Sequence, residues 1–315
     1  MAAYLEFEKP IAELEARIVE LRDTADANDG TLDIEAEVAK LQVKSERLLR
    51  DTYAKLTPWQ KTQVARHPER PHFKHYVAGF VDDFMPLAGD RAFSDDQAIM
   101  GGLGRIHGRR VMVIGHEKGD DIASRIRHNF GSAKPEGYRK AIRLMRLAER
   151  FGIPVVTLVD TAGAFPGVQA EERGQAEAIA RSTEQCLQLT VPIVAAIVGE
   201  GGSGGAVALA AANRVLMFEN AVYSVISPEG ASSILWRTAD KAADAADAMK
   251  ITATDLKKLG VIDRIVAEPV GGAQRDPAAA IAALGSALAE ELEALADERP
   301  KALLAQRRAR FLAIG

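Results

Sequence analysis

The sequence predicts an α/β protein with stacked βαβ units, and three observations carry that prediction. A succession of helix, proline, strand, glycine-rich loop and helix occurs twice, about forty residues apart. It runs once through a helix at 137–151, Pro154, a strand at 155–159 and the loop 160–167, and again through Pro192, a strand at 193–198 and the loop 199–205. Such succession implies parallel strands whose following loops share one sheet edge, where α/β proteins hold ligands. An apparent hairpin precedes these units, and apolar residues at helical spacing dominate both ends of the chain.

Taken in order, Ile11, Leu14, Ile18 and Leu21 recur at helical spacing, and Ile34, Val38, Leu41 and Leu48 repeat the pattern after the polar segment DTADANDGT. These predict two amphipathic helices joined by a turn. Thr57-Pro58-Trp59-Gln60 combines an N-cap, a proline at the first helical position and a glutamine three residues after the cap, so a third helix starts there. Ile99–Ile106 and 111–114 flank a tight turn and read as two strands. After the first glycine loop a long helix is expected through Glu171, Ala180 and Leu189. Short strands follow at 215–218 and 222–226, and Ser227-Pro-Glu-Gly230 opens a helix by cap and proline. Residues 255–260 read as a helix end with a glycine stop, 261–266 as a strand, and 277–296 and 307–311 as terminal helices. The expected division is a helical region for subunit contacts at 1–95, a core at 96–270 and terminal helices at 271–315.

Of the 315 residues, 47% are hydrophobic and 27% charged, enough apolar material for a sizeable core. A net charge of −4 gives no electrostatic footprint for nucleic acid. The single cysteine, Cys186, excludes an intrachain disulfide and a Cys-based zinc ribbon within this chain. With neither a signal-peptide pattern nor an apolar run of membrane-spanning length, a cytoplasmic, unanchored protein is expected.

The glycine run GEGGSGGA at 199–206 raises the question of what approaches its bare backbone. Gly199, Gly201 and Gly204 match the G-x-G-x-x-G of dinucleotide binders, and Glu219 stands near the place of their ribose-binding acid. Against that reading, the loop comes late in the α/β half, and the helix after it, 204–212, is short and apolar almost throughout. The missing G-K-[ST] argues against a P-loop. A short buried helix whose first amides face an anion fits better, and two glycine turns together suit an oxyanion hole. Tight helix–strand packing is the plainer use of the same glycines. Ser203 lacks the spacing of a nucleophile elbow. His67, His72 and His75 in HPERPHFKH suggest a metal, but Arg70 and Lys74 among them favour a solvated basic turn, and no metal site is expected. The basic run Arg125, Arg127, Lys134, Arg139, Lys140, Arg143 and Arg146 reads as a solvated face, with a phosphate-bearing ligand such as coenzyme A or an acidic partner as the alternative.

The stretches FEKPIAELEARI, LAGDRAFSDDQAI, VIGHEKG, RHNFGSAKPEGYRKAIRLM, VDTAGAFPGVQAEERGQAEAIA, VGEGGSGGAVALA and YSVISPEGASSILW span nearly the whole chain. Through them the sequence closely resembles the alpha subunits of bacterial acetyl-CoA carboxylase carboxyltransferase, of the crotonase-like (ClpP/crotonase) superfamily. It departs where that family more often has proline and tyrosine, at Ala162 and Phe165. The resemblance implies a crotonase-like core and transfer of a carboxyl group from carboxybiotin, held on a biotin carboxyl carrier protein, to acetyl-CoA, giving malonyl-CoA for fatty acid synthesis. It also implies a beta subunit bearing the zinc ribbon, an α2β2 heterotetramer with sites between unlike subunits, and biotin carboxylase in a larger complex.

On that reading the backbone N–H groups of Gly204 and Gly205 stabilise the biotin oxygen, Gly167 or Val168 donates a second N–H, and Phe165, Pro166, Gly202 and Ser203 line the biotin pocket. The ureido nitrogen takes the methyl proton of acetyl-CoA, which matches the lack of an evident general base. A hydratase or isomerase of the same superfamily would instead use Glu200 or Glu229 as acid and base. A non-catalytic assembly subunit would use its N-terminal helices as the main contact surface.

Overall fold

A computed structural model of the chain describes residues 3–27 and 35–314. The chain begins with α1 (Lys9–Ala27), α2 (Glu35–Tyr53), α3 (Pro58–Ala65) and α4 (Phe73–Phe80), then the strands β1 (Asp82–Pro86), β2 (Ile99–Ile106) and β3 (Arg109–His116). Helices α5 (Ile122–Arg127) and α6 (Pro135–Arg150) lead to β4 (Val155–Thr161), and α7 (Val168–Glu172) and α8 (Gln175–Gln188) lead to β5 (Ile193–Gly202). Next come α9 (Ser203–Ala210), β6 (Arg214–Phe218) and β7 (Val222–Ser224), followed by α10 (Pro228–Trp236), α11 (Ala242–Met249), α12 (Ala253–Lys258) and β8 (Arg264–Val266). Helices α13 (Pro277–Ala294) and α14 (Pro300–Leu312) complete the order.

The strands form one mixed sheet in the order β1-β2-β3-β4-β5-β6-β8. The β1–β2–β3 part is antiparallel, and β3 through β8 run parallel. Strand β5 is long enough to pair twice, with β6 through Val194–Ile197 and with β7 through Glu200–Gly202. Every residue of β4 and β5 is buried. That is why they read as continuous apolar runs instead of alternating ones.

The cap signals act as the sequence predicts. Thr57 Oγ1 accepts from the Gln60 amide at 3.2 Å and Gln60 Oε1 from the Thr57 amide at 2.9 Å, while Ser227 Oγ caps α10 through the Gly230 amide at 3.1 Å. Helix α1 continues through Ala27 and so takes in part of the expected turn; the rest of that turn, with Ile34, lies outside the described residues.

Three features differ from expectation. Strand β1 has two acidic residues and a terminal proline, a composition that hides a strand in the sequence and suits an exposed edge. The expected long helix from 171 to 189 is two helices, α7 and α8, parted at Gly174, which adopts φ +79°. Residues 199–202 are not a loop but the tail of β5. Helices α4, α5 and α11, of six to eight residues, are too short to display a periodicity.

Helix α9 packs between α8 and the β4–β5 part of the sheet. Apolar almost all round, it can occupy that buried layer, but its terminal backbone groups then need partners. At its carboxyl end they are supplied: Ser182 Oγ donates to the Ala208 carbonyl at 2.7 Å and Thr157 Oγ1 to the Leu209 carbonyl at 2.7 Å. Replacing Thr157 by the near-isosteric valine leaves the Leu209 carbonyl without that donor. Thr157→Val is expected to lower unfolding stability by about 1–3 kcal/mol in a urea titration; an unchanged midpoint would mean the carbonyl has another partner.

Candidate functional site

The end of β4 and the β5–α9 junction touch through backbone. A Cβ at Gly199 would overlap the Asp160 carboxylate, and one at Gly202 the Ala162 carbonyl. At Gly205 a Cβ would lie 2.9 Å from both the Ala164 nitrogen and the Tyr138 hydroxyl. Glycine is therefore required at these positions by the neighbouring chain. Gly204 differs, because the nearest atom to its Cβ position is the Ile179 side chain at 3.2 Å. Between them Ser203 turns strand into helix at φ +56°, an uncommon conformation for a residue with a side chain, and it is exposed.

Helix geometry leaves the amides of Ser203, Gly204 and Gly205 without intrahelical partners, and the N-cap, Gly202, has no side chain to satisfy them. The far end of α9 is satisfied and this end is open. It can stabilise negative charge on a ligand oxygen through direct N–H donation and the helix dipole.

Residues 161–168 follow the adjacent strand. Thr161 Oγ1 accepts from the Gly163 amide at 3.1 Å and donates to the Gly163 carbonyl at 2.8 Å. The Phe165 amide donates to the Ala133 carbonyl at 2.9 Å, and Gln175 Nε2 donates to the carbonyls of Ala133, at 2.9 Å, and Phe165, at 3.1 Å. The Lys134 ammonium lies 4.9 Å over the Phe165 ring, whose edge would stand 2.8 Å from a Cβ at Gly167. Gly167 caps α7, and Val168, 74% exposed, is its first residue. Thus residues 202–205 and 165–168 stand on neighbouring turns; 162–164 make the contact with α9, and the Phe165 end is tethered to Ala133.

A cavity of about 270 Å³ opens beside this junction at the carboxyl ends of β4 and β5, lined by Arg66, His72, Lys118, Asp160, Ala162 and Glu200 among others. Its lining reaches Ala162 but does not include Gly204 or Gly205. Asp160 Oδ1 holds the Lys118 ammonium at 2.6 Å and the Glu200 amide at 2.9 Å. Arg66 binds Glu200 at 2.8 Å and forks onto Glu229 at 2.5 and 3.3 Å. Burial favours a raised Glu229 pKa, but the hydrogen bond and charge of Arg66, with hydrogen bonds from the backbone and Ser227, together outweigh it and hold the carboxyl below its usual range.

The segment HPERPHFKH is not the solvated turn its charges suggest. His67, Arg70 and His72 are buried, and Arg70 forms a bidentate pair with Glu268 at 2.8 and 2.6 Å. Among the described residues, His72, His75 and Asp120 bring potential ligand atoms within 4.8 Å of one another. His75 Nδ1 already accepts the His72 amide at 3.1 Å, and the Lys74 ammonium pairs with Asp120, filling the place of a cation. The basic run also divides: Lys140 is buried on Asp95, while Arg139, Arg143 and Arg146 face outward together. Tyr138, Gln175, Lys118, Asp160 and Arg66 are site neighbours the sequence does not single out. Only Asp160, placed between an apolar strand and a glycine turn, carries a visible signal.

The mixed sheet, its helical cover and the paired glycine turns define an α/β fold whose glycine turns lie side by side at the carboxyl ends of β4 and β5. Among solved structures, the chain is similar to the beta subunit of geranyl-CoA carboxylase from P. aeruginosa, with TM-score 0.58 and 18% identity over 79% of this chain and 46% of that one. It is also similar to transcarboxylase 12S, with TM-score 0.55 and 21% identity over 68% and 42%. These likenesses concern the fold. Residues 4–315 match the family described as acetyl co-enzyme A carboxylase carboxyltransferase-like. Acetyl-coenzyme A carboxylase carboxyl transferase subunits alpha from Rhizorhabdus wittichii and Zymomonas mobilis are 79% and 67% identical over 315 residues, the full length of both chains. The chain belongs to the acetyl-CoA carboxylase carboxyltransferase family.

One pH dependence follows from the buried neighbourhood of Asp160. His116 is 1% exposed; burial, with Lys118 nearby and against the pull of Asp160, pushes its pKa down to about 4. Between pH 6.5 and 4 the unfolded chain takes up a proton at this ring and the folded chain does not, so stability falls as pH falls through that window. The contribution lost by pH 4 is about 3 kcal/mol. His116→Asn is expected to flatten the stability–pH profile between 6.5 and 4, and an unaltered slope would contradict a buried neutral ring.

Proposed function

We propose that this chain acts as the alpha subunit of a two-subunit carboxyltransferase, moving a carboxyl group from carboxybiotin on a biotin carboxyl carrier protein to acetyl-CoA. The product is malonyl-CoA for fatty acid synthesis. The observation that carries this reading is the amino end of α9, where helix geometry leaves the Gly204 and Gly205 amides without intrahelical acceptors and no side chain caps them, on a helix whose other end is satisfied. Such donors suit the ureido oxygen of biotin, a compact acceptor that gains charge during transfer.

Biotin supplies the carboxyl group in a labile N-linked form. The Gly204 and Gly205 amides stabilise the oxygen that becomes more negative, and the α9 dipole acts in the same sense. Phe165, held by Gln175 and Lys134, forms a wall with Pro166; Gly202 and Ser203 shape the opposite turn, and Gly167 and Val168 stand as second donors at the start of α7. A hydratase reading is less well supported, because both candidate carboxylates, Glu200 and Glu229, are tied to Arg66.

The proposal extends to a beta partner in an α2β2 assembly, to biotin carboxylase in the larger complex and to cytoplasmic residence. Val225, Ile234 and Leu235, 80%, 72% and 67% exposed, offer apolar surface for a partner, and residues 1–95 and 271–315 are assigned to assembly around the 96–270 core. Zinc is assigned to the beta subunit, because a single cysteine in this chain cannot form a Cys-based zinc ribbon. Among the described residues no helix is long and apolar enough to cross a membrane.

Carboxyl exchange between malonyl-CoA and biocytin tests the reading, run with this chain, with the beta subunit and with both. Activity only in the mixture is expected, and Gly204→Val in the mixture should lower it by at least about 10²-fold. Activity in the lone chain, or none in the mixture, would contradict the proposal; near-normal transfer by the folded valine variant would contradict the site.

A further inference from the structure

Away from the glycine turns, five arginines converge on a concavity of about 480 Å³ formed by α6, α8 and the loop before β2. Arg139, Arg143 and Arg146 come from α6, Arg181 from α8 and Arg91 from the loop. Arg181 is matched by Glu177 and Glu184 on its own helix, at 3.2 and 2.7 Å. The other four form no ion pair among the described residues.

Three of these four are held in place by neutral oxygens. Arg139 Nη2 donates to the Arg173 carbonyl at 2.6 Å, Arg143 to the Gly89 and Ala88 carbonyls at 2.9 and 3.0 Å, and Arg146 Nε to Gln185 Oε1 at 2.9 Å. These bonds orient the guanidiniums without neutralising them. Asp90 is the remaining acid in the basin, and its Oδ1 is engaged by the amides of Ala92, Phe93 and Ser94. Partial burial and the like charge of Arg91 lower the Arg143 pKa from its ordinary value, against the opposing pull of Asp90 and Asp95.

We propose that this basin is a binding site for a small molecule carrying a diphosphate group. Among the lining residues five guanidiniums set against Asp90 and Glu177 leave a net charge of about +3, which two linked phosphoryl groups neutralise and a single one does not. Planar guanidinium forks suit paired phosphoryl oxygens. The volume falls within the range of small-molecule sites, about 300–1,000 Å³. The cations point into a hollow from three elements instead of forming a stripe, and the chain is acidic overall, with net charge −4. Those facts favour a small ligand over a nucleic-acid polymer. The inference does not depend on the carboxyltransferase reading, because no residue of the glycine turns contributes to the basin.

Calorimetric titration of the full-length chain with pyrophosphate tests it, with orthophosphate and a short single-stranded oligonucleotide as comparisons. One saturable pyrophosphate site is expected, with orthophosphate at least about tenfold weaker. Arg91→Ala and Arg146→Ala, both at exposed positions, should each weaken pyrophosphate about tenfold while the melting temperature of the free protein stays unchanged. No saturable heat at millimolar pyrophosphate, equal affinity in both folded variants, or tighter binding of the oligonucleotide would overturn the proposal.

Discussion

The close approach of two backbones, the end of β4 and the β5–α9 junction, is the constraint on which the rest of the structure depends. Gly199, Gly202 and Gly205 exist at that contact because a side chain would strike Asp160, Ala162 or Ala164. With the chains that close, the helix after β5 has to lie in the buried layer between the sheet and α8, so it is short and, after Ser203, built of small and apolar residues. Burial then dictates its polar partners. Thr157 and Ser182 satisfy the carboxyl end, and the amino end is left facing the turn after β4.

Charged side chains fasten the helical cover to this centre. Arg66 and Arg70, at the end of α3 and just beyond it, reach Glu200, Glu229 and Glu268, and Arg70 also donates to the Val198 carbonyl at 2.8 Å. Near the amino terminus, Arg275 meets Glu15 at 2.8 Å and Tyr53 donates to Glu8 at 2.9 Å. A buried pair such as Arg70–Glu268 contributes little net stability against a well-packed apolar alternative. Its value here is positional, since a displaced α3 would leave Glu200 without Arg66 and alter the cavity at the strand ends.

Much of this was readable from residues. The proline–strand–glycine repeats located β4 and β5, the hairpin was evident from two strand-like runs about the tight turn at His107-Gly108, and capping residues marked α3 and α10. The candidate glycines were visible too, but not their separate duties: close approach to backbone or a carboxylate at 199, 202 and 205, and a tight contact with the Ile179 side chain alone at 204. Such distinctions depend on which chain lies opposite, which local pattern does not encode. For the same reason HPERPHFKH looked solvated although Arg70 is buried against a glutamate about two hundred residues away, and β1 was absorbed into the helical region 1–95 because edge strands carry little apolar signal. Likewise, α6 alone could not reveal its unmatched arginines, because Arg91 and Arg181 arrive from other elements.

The account rests on the amides of Gly204 and Gly205 receiving a biotin oxygen. The most direct measurement is an amide NMR titration of the glycine-labelled chain, assembled with its beta subunit, against biocytin. Downfield movement of the Gly204 and Gly205 amide protons beyond that of the other glycines is the predicted result. Saturating biocytin that moves other glycines and leaves these two in place would contradict it.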